Sequence, residues 1–231
     1  MSPDPPPAHD PWVILAAVAT ATTRLKIGTC VAVVPRYKPH LLARTLVSLD
    51  VLSNGRVIFG VGLGGDGGAS IKAFGEDAAP RIRAKKTDEA LEIITRLWSG
   101  DKVTYRGEHY TVEDFTLSAR PVQRPRIPIW VGGDSPAALR RAARWDGWLG
   151  PDENTLETRA EDVRTIRGRL SAHRGTTPLD IAWGGSTAGR GESVTAYRDA
   201  GVTWWIEVLL GSREEVLSRV AAGPPTGAAD T

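Results

Sequence analysis

Two glycine-rich segments hold the residue types that bind phosphate groups. The first, Gly60 to Gly65, follows the apolar run Val57 to Phe59 and has the Gly-x-Gly-x-x-Gly spacing of dinucleotide-binding loops. That spacing binds a dinucleotide only where it opens directly into a helix, and Asp66-Gly67-Gly68, followed by Gly75 and Pro80, cannot sustain one. The segment therefore predicts a backbone that approaches a ligand closely at the end of a strand. It does not predict a dinucleotide-binding fold.

The second segment, Gly132-Gly133-Asp134-Ser135-Pro136, follows a short apolar strand. Ser135 can cap a helix that has Pro136 at its first position. The exposed backbone amides and the positive end of the helix dipole then form a ready phosphate site. The alternative is an ordinary capped helix after a tight turn between strand and helix.

The remaining polar residues form no recognisable catalytic or metal-binding set. The four histidines are scattered, and no pair has the spacing of metal ligands, so no metal site is predicted. No nucleophile stands with a base and an acid, and the catalytic residue is unknown. Arg36 and Tyr37 could line a binding site, but solvated loop residues are commoner at such positions. For Trp183, Trp204 and Trp205, which lie in or beside late strands, core packing is favoured over a ring-stacking platform.

These candidates are carried by helices and strands that alternate along the chain. Helices are predicted over residues 12–22, 39–52, 81–98, 135–144, 156–173 and 192–200, and a last one begins at a capping box of Ser212 and Glu215. Strands are predicted over residues 25–34, 56–61, 129–131, 148–149, 179–183 and 203–209. Strands separated by helices of this length form parallel sheets through right-handed crossovers. The sequence therefore predicts an α/β fold with about six parallel strands.

One segment, residues 101–128, departs from this alternation. Val103 to Tyr105 and His109 to Val112 flank Arg106-Gly107-Glu108, a pattern that predicts a β-hairpin insertion. The prolines that follow, at positions 121, 125 and 128, favour an extended connection.

Composition bounds the class of protein. A chain of 231 residues can form one α/β domain, here predicted over residues 11–223 between a disordered Pro-rich lead (1–10) and a flexible tail (224–231). With 29 Lys and Arg against 27 Asp and Glu, no strong field favours nucleic acid or a membrane surface. A single cysteine, Cys30, excludes an internal disulfide and fits the cytoplasm.

With this order established, the chain resembles the bacterial luciferase-like superfamily of flavin- or deazaflavin (F420)-dependent oxidoreductases over roughly residues 11–223. The motifs that carry the resemblance are, in chain order, PWVILAAVATATTRLKIGT, TLVSLDVLSNGRVIFGVGLG, RIRAKKTDEALEIITRLWSG, VTYRGEHYTV and IPIWVGGDSPAALRRAARWDGW. They resemble the family's second helix and third strand, third helix and fourth strand, fourth helix, hairpin, and fifth strand with its phosphate-side loop. Their order and spacing together make the signal specific.

The resemblance implies a (β/α)8 barrel with FMN or F420 lying across the C-terminal ends of the strands. Backbone amides would hold the phosphate end of the cofactor. At Cys30-Val31, F420-using relatives have a bulge with a non-proline cis peptide that backs the deazaflavin ring. The alternative there is a plain core strand with a small buried thiol. The cofactor contacts that the resemblance implies are Cys30, Val31, Gly62, Gly132, Gly133, Asp134 and Ser135.

The sequence departs from the family pattern at two places. If residues 25–34 are the third strand, the chain has no first or second strand, and the Asp-His pair that ends the family's second strand is absent. Ser70 stands four positions before Phe74, where family members commonly carry an acidic residue. The expected barrel is therefore incomplete, with strands 3 to 8.

The resemblance implies an oxidoreductase or monooxygenase that acts on a small organic substrate with reduced FMN or F420, with or without dioxygen. The sequence does not separate the two cofactors. The alternative is a truncated, inactive paralogue or a misassigned start. Such a chain would persist as a scaffold or as a homodimer that covers its open strand edges.

Overall fold

A computed structural model describes residues 9–64, 69–150, 159–187, 194–209 and 211–223. The predicted lead and tail lie almost wholly outside these ranges. The chain divides into two compact units, residues 1–128 and 129–231, and each is described by itself. None of the helices in the described ranges is long and apolar enough to cross a membrane.

Unit one begins with an apolar helix that leads into two parallel strands. Helix α1 (Pro11–Ala21) has Asp10 as its N-cap, whose carboxylate accepts the amide N–H of Trp12 at 2.8 Å. Strands β1 (Ile27–Gly28) and β2 (Ala32–Val33) both pair in parallel with β3 (Val57–Gly62). In β3 every residue except the half-buried Ile58 is buried, as the continuous apolar run predicts.

The single strand predicted over residues 25–34 is wrong, because the structure breaks it into β1 and β2. The intervening residues, Thr29 to Val31, leave the β ladder. The Thr29 hydroxyl donates to the carbonyl of Gly60 at 2.7 Å and so bonds to the neighbouring strand through its side chain. Beyond β2, residues Val34–Arg36 form one turn of 3-10 helix.

Three further helices complete the α/β part of unit one. They are α2 (Pro39–Leu52), the short α3 (Ala69–Ala73) and α4 (Pro80–Trp98). Helices α2 and α4 bury apolar faces that include Leu46 and Ile94, both fully buried. Helix α3 corrects the expectation that this glycine-rich stretch sustains no helix. It buries Ile71 and stops within two turns, before Gly75 at φ +78°.

The hairpin predicted near residues 101–128 is present as β4 (Val103–Arg106) and β5 (Thr111–Phe115), which pair antiparallel. Two carboxylates on helices anchor this insertion through its backbone. Glu89 accepts amide N–H groups of residues 108–110 at 2.9 to 3.3 Å. Buried Asp50 accepts the amides of Val122 and Gln123 at 2.8 and 3.1 Å.

Unit two continues the alternation with four parallel strands. Strands β6 (Ile129–Gly132), β7 (Gly147–Leu149), β8 (Asp180–Gly185) and β9 (Trp204–Glu207) pair in that order. The helices are α5 (Pro136–Ala142), α6 (Ala160–Arg174), α7 (Val194–Ala200) and α8 (Arg213–Ala222). Counting β1 and β2 as one broken strand, the described residues hold two parallel strands in unit one and four in unit two. The predicted number of six is confirmed.

The tryptophans of unit two lie on both faces of its strands. Trp183 and Trp205 are at one register and pack against Tyr197 of α7, at ring-centroid distances of 6.2 and 5.0 Å. Trp204 lies on the opposite face, 5.3 Å from Trp130, and is 38% exposed. The packing role predicted for these residues holds for Trp183, which is fully buried. Trp204 is only partly packed.

Candidate functional site

The candidate residues of unit one lie together where β2 and β3 end. Gly62, the last residue of β3, pairs with Val33, two positions beyond Val31. A Cβ atom on Gly62 would lie 2.4 Å from the Cγ2 atom of Val31, far inside van der Waals contact. The glycine therefore lets the Val31 side chain lie directly against β3.

The break between β1 and β2 presents backbone and side chains on the surface. The peptide bond between Cys30 and Val31 is cis, as the resemblance implies. Cys30 is exposed, so the alternative of a small buried thiol is wrong. The Val31 side chain is 37% exposed although it is apolar. The structure thus presents Cys30 and Val31 as an exposed patch of small and apolar groups that lies against the buried Gly62 of β3.

A buried arginine that the sequence did not single out holds the chain beyond β3. Arg83 of α4 is 5% exposed, and its guanidinium donates to the carbonyls of Leu63 at 2.7 Å and Gly64 at 2.9 Å. It also donates to the carbonyl of Ala78 at 3.0 Å. Nothing in the sequence distinguishes Arg83 from its exposed neighbour Arg81, since both lie in the first turns of a predicted helix.

The candidate residues of unit two form the turn between β6 and α5. Ser135 is the N-cap of α5, and its hydroxyl accepts the amide N–H of Ala138 at 3.2 Å. Gly133 has φ +106°, a conformation that favours glycine. Gly132 is half-buried, whereas Gly133, Asp134 and Ser135 are exposed. This capped turn is what the sequence predicted.

The turn is fixed from below by a core residue. The indole N–H of Trp148, a buried residue of β7, donates to the carbonyl of Gly133 at 2.7 Å. This bond orients the peptide plane between Gly133 and Asp134, because that carbonyl and the following amide share one plane. The amide N–H of Asp134 therefore points away from the indole.

The sequence also gives no indication of a half-buried carboxylate at the C-terminal end of β9. Glu207 accepts the Trp205 indole N–H at 2.8 Å and both the amide and hydroxyl of Thr187, at 2.8 and 3.0 Å. It also pairs with Arg219 of α8. Burial acts to raise the pKa of Glu207, but these hydrogen bonds and the Arg219 charge outweigh it and lower the pKa below its ordinary value.

The structure also locates the other residues that the sequence analysis considered. Arg36 is exposed at the end of the 3-10 turn, and the Tyr37 ring packs edge-on against Trp12 at 6.2 Å. Ser70 lies in α3. Asp66, Gly67 and Gly68 lie outside the described residues. Among the described residues, no group of three or more His, Cys, Asp or Glu side chains is arranged to hold a metal ion.

The two sets of candidates are suited to binding more than to proton transfer. The patch of unit one offers small and apolar surface, which matches the face of a planar ring. The turn of unit two offers exposed amides and a hydroxyl, which match the oxygens of a phosphate. Cys30 and Asp134 are the two titratable side chains among the seven candidates, and both are exposed.

The family model described as "Luciferase-like monooxygenase" matches residues 2–222, almost the whole chain. The chain belongs to the luciferase-like monooxygenase family. The resemblance inferred from the sequence motifs is therefore confirmed.

Two curated relatives illustrate the family's range. The F420-dependent glucose-6-phosphate dehydrogenase of Microbacterium testaceum is 39% identical over 135 residues, which are 58% of this chain and 39% of that protein. The FMNH2-dependent dimethylsulfone monooxygenase of Pseudomonas putida is 30% identical over 166 residues, or 71% of this chain and 45% of that protein. This chain thus spans less than half the length of either relative.

Solved structures confirm the fold class, an α/β fold of the (β/α)8 barrel type. The crystal structure of the monooxygenase RslO1 from Streptomyces bottropensis matches 92% of this chain and 62% of that one, with a TM-score of 0.65 and 23% identity. At this level of identity the likeness concerns the fold alone.

Proposed function

We propose that this chain is a flavin- or F420-dependent oxidoreductase that acts on a small organic substrate. The observation that carries the proposal is the exposed patch at the break between β1 and β2, where Val31 lies against Gly62 at the C-terminal side of a parallel strand pair. Parallel α/β folds place their ligands at this end of the strands. Membership of a family that includes F420-dependent and FMNH2-dependent relatives supports the cofactor class.

The ring of the cofactor is proposed to contact Cys30, Val31 and Gly62. Val31 presents an exposed apolar side chain that lies against the buried Gly62, and a ring that covers Val31 removes its exposed area from water. Arg83 would act indirectly, by holding the carbonyls of Leu63 and Gly64 in place beside Gly62.

The phosphate end is proposed to contact Gly132, Gly133, Asp134 and Ser135. The donor set fits a phosphate, since exposed amides at a capped turn can donate to its oxygens. The Trp148 indole keeps this turn in one orientation through the Gly133 carbonyl. The bound cofactor supplies hydride transfer or dioxygen activation. The chain's own residues bind it and orient it.

The test is a cofactor titration. Purified protein is titrated with FMN and, separately, with F420, and the intrinsic fluorescence of each cofactor is followed. We expect a saturable change with one of the two, which also separates the flavin enzyme from the F420 enzyme. The absence of a saturable change with either cofactor, from a protein with a cooperative unfolding transition, would contradict the proposal.

A pair of substitutions locates the ring. Gly62→Ala places a Cβ atom 2.4 Å from the Val31 side chain and pushes that side chain outward, so we expect weaker cofactor binding. Adding Val31→Ala removes the displaced atoms, so the double variant should recover part of the lost affinity. Gly168→Ala is the matched control, because a Cβ atom there meets nothing within 4 Å. Equal affinity of Gly62→Ala and the wild type would place the ring elsewhere.

A second candidate is a chain that acts by self-association, and the surface of α1 favours it. In this helix of 11 residues only Ala19 is buried, whereas Val13 is 68% and Ile14 49% exposed. Apolar helix faces of this kind become buried in interfaces. A homodimer would cover the exposed apolar face of α1.

For either function we propose a cytoplasmic location, which the chain's single cysteine suits.

Analytical ultracentrifugation tests the homodimer. We expect the wild-type chain to sediment as a dimer and Ile14→Asp to shift it toward monomer. The control is Leu217→Asp on α8, which places the same charge at a residue that is 55% exposed in unit two. A dimer without any response to either cofactor would favour self-association over catalysis. A wild-type monomer would contradict the homodimer.

A further inference from the structure

Unit two has a cleft at the end of its strands opposite to the Gly132–Ser135 turn. Its walls are the last turns of α6 and α7 and the connections that lead from these helices into β8 and β9. The cleft has a volume of about 840 Å³. Because the lining lies at the N-terminal ends of β8 and β9, the proposed cofactor residues do not take part in it.

The floor of this cleft is apolar. Leu170 of α6, Ile181 of β8 and Val202 before β9 line it, and they are 2%, 5% and 8% exposed. A ligand that reaches this floor must therefore carry an apolar body.

The rim of the cleft is positively charged. Arg167 and Arg174 of α6 and Arg198 of α7 line it, and the described lining contains no Asp or Glu. Arg167 and Arg174 lie seven positions apart on one helix face, so both guanidinium groups point to the same side of α6. The lining therefore carries three positive charges that no lining carboxylate neutralises.

The three arginines differ in their own contacts. Arg174 donates to the carbonyls of Ala143 at 2.9 Å and Thr177 at 3.2 Å, so backbone oxygens alone receive these bonds. The Arg167 side chain lies against Gly201, where a Cβ atom would be 2.7 Å from its Nη1 atom. Among the described residues, Arg167 has no hydrogen-bond or ion-pair partner. Arg198 has one carboxylate near it, Asp199 at 3.5 Å on the exposed side of α7.

We propose that this cleft binds a small organic anion in which a carboxylate, sulfonate or phosphate group is attached to an apolar body. The apolar body contacts Leu170, Ile181 and Val202, and the anionic group contacts the guanidinium groups of Arg167 and Arg198. Arginine suits this role because its planar fork of donors matches the oxygens of such anions. The site is separate from the proposed cofactor residues and does not depend on the proposed function.

Isothermal titration calorimetry of the full chain with naphthalene-1-sulfonate tests the site. Two reference ligands separate the contributions, namely inorganic sulfate, which lacks the apolar body, and 1-naphthalenemethanol, which lacks the charge. We expect saturable binding of the sulfonate and at least about tenfold weaker binding of each reference ligand. Equal binding of the neutral alcohol would overturn the role of the arginines, and no saturable sulfonate binding at millimolar concentration would overturn the site.

Reversing the charge of single arginines tests which of them contact the anionic group of the ligand. Arg167→Glu and Arg198→Glu should each weaken sulfonate binding by about tenfold, because each turns an attraction into a repulsion at close range. Arg169→Glu is the matched control, since Arg169 is exposed on the same helix but does not line the cleft. The unfolding temperature of each variant is measured alongside. Equal weakening by all three variants would show a general charge effect and would contradict the proposal.

Discussion

A buried arginine binds the chain at each end of β3, and the two arginines bind different parts of the fold. Arg56 stands immediately before the strand and is 8% exposed, and Arg83 reaches the chain immediately after it and is 5% exposed. Both donate almost entirely to backbone carbonyls. Arginine therefore stabilises both ends of one strand, and the role of each arginine depends on which carbonyls it binds.

Arg56 fixes the entrance of the strands. Its guanidinium donates to the carbonyls of Ala19 at 2.7 Å, Leu25 at 2.8 Å and Thr22 at 2.9 Å, and to the Thr22 hydroxyl at 3.0 Å. It also donates to the carbonyl of Ser53 at 2.6 Å. These bonds join the C-terminal ends of α1 and α2 to the segment before β1, so one side chain donates to four carbonyls at or beyond the helix ends.

Arg83 fixes the exit of the same strand with fewer bonds. Its three carbonyl acceptors lie in two connecting segments, at Leu63, Gly64 and Ala78. None of these acceptors closes a helix end. Arg83 therefore determines the path of a loop at the candidate site, whereas Arg56 joins elements of the fold. The contrast predicts that loss of Arg56 mainly affects stability and that loss of Arg83 also affects binding.

Arg56→Met should have the largest effect on stability. The substitution keeps an unbranched stem of similar length but leaves four buried or partly buried carbonyls without this donor, which should lower the free energy of unfolding by roughly 3 kcal/mol. Urea denaturation measures the change. Cofactor affinity of the folded fraction should stay at the wild-type value. A loss smaller than that of the matching Arg83 variant would contradict the assignment of Arg56 as the stronger anchor.

Arg83→Met should lower the free energy of unfolding less than Arg56→Met does, but it should weaken cofactor binding more. It removes three hydrogen bonds, whereas Arg56→Met removes five, so we expect a loss of about 2 kcal/mol in the free energy of unfolding. Amide hydrogen exchange of residues 61–64 should accelerate in this variant and not in Arg56→Met, and the affinity for the cofactor that binds the wild type should fall. The exchange measurement keeps the comparison testable if neither cofactor binds. Unchanged exchange at residues 61–64 would show that Arg83 does not position the loop.

The sequence predicts the strands and helices well because their patterns are local. The apolar run of β3, the helical spacing in α2 and the cap at Ser135 are all properties of neighbouring residues. The same holds for the last helix, where the predicted capping box between Ser212 and Glu215 is present. Neighbouring residues are therefore sufficient to predict these helices and strands, and the structure confirms them.

The anchors could not be predicted, because each depends on a partner distant in the sequence. Apart from one local bond each, to Ser53 and to Ala78, Arg56 bonds to residues 31 to 37 positions away and Arg83 to residues 19 and 20 positions away. The break between β1 and β2 followed from the family resemblance, whereas the periodicity of residues 25–34 predicted one continuous strand. The pattern of apolar residues does not show which backbone N–H and C=O groups lack a partner in the neighbouring strand.

Glu207→Gln tests whether a carboxylate at the end of β9 acts as Arg83 does at the end of β3. Glu207 ties Thr187, which follows β8, to α8, and we expect its loss to cost about 1 kcal/mol at neutral pH. Since the pKa of Glu207 is lowered in the folded chain, this stabilisation is complete above the ordinary value of 4.5 and disappears as the pH falls through the folded pKa. Urea denaturation of both proteins should therefore converge in acid. An unchanged difference in acid would contradict the role of the charge.

Tyr110→Phe gives the smallest effect and extends the comparison to the hairpin, which Glu89 holds through backbone amides. Burial raises the pKa of Tyr110 to about 12, and the charges of Glu76 and Glu89 add to the shift. The unfolded chain releases this proton near the ordinary value of 10, so the wild type should lose stability between about pH 10 and about pH 12. The phenylalanine variant should lack this part of the loss, as urea denaturation across that range would show. Parallel losses in the two proteins would mean that the hairpin does not shield Tyr110, and that Glu89 anchors a looser segment than Arg56 or Arg83 does.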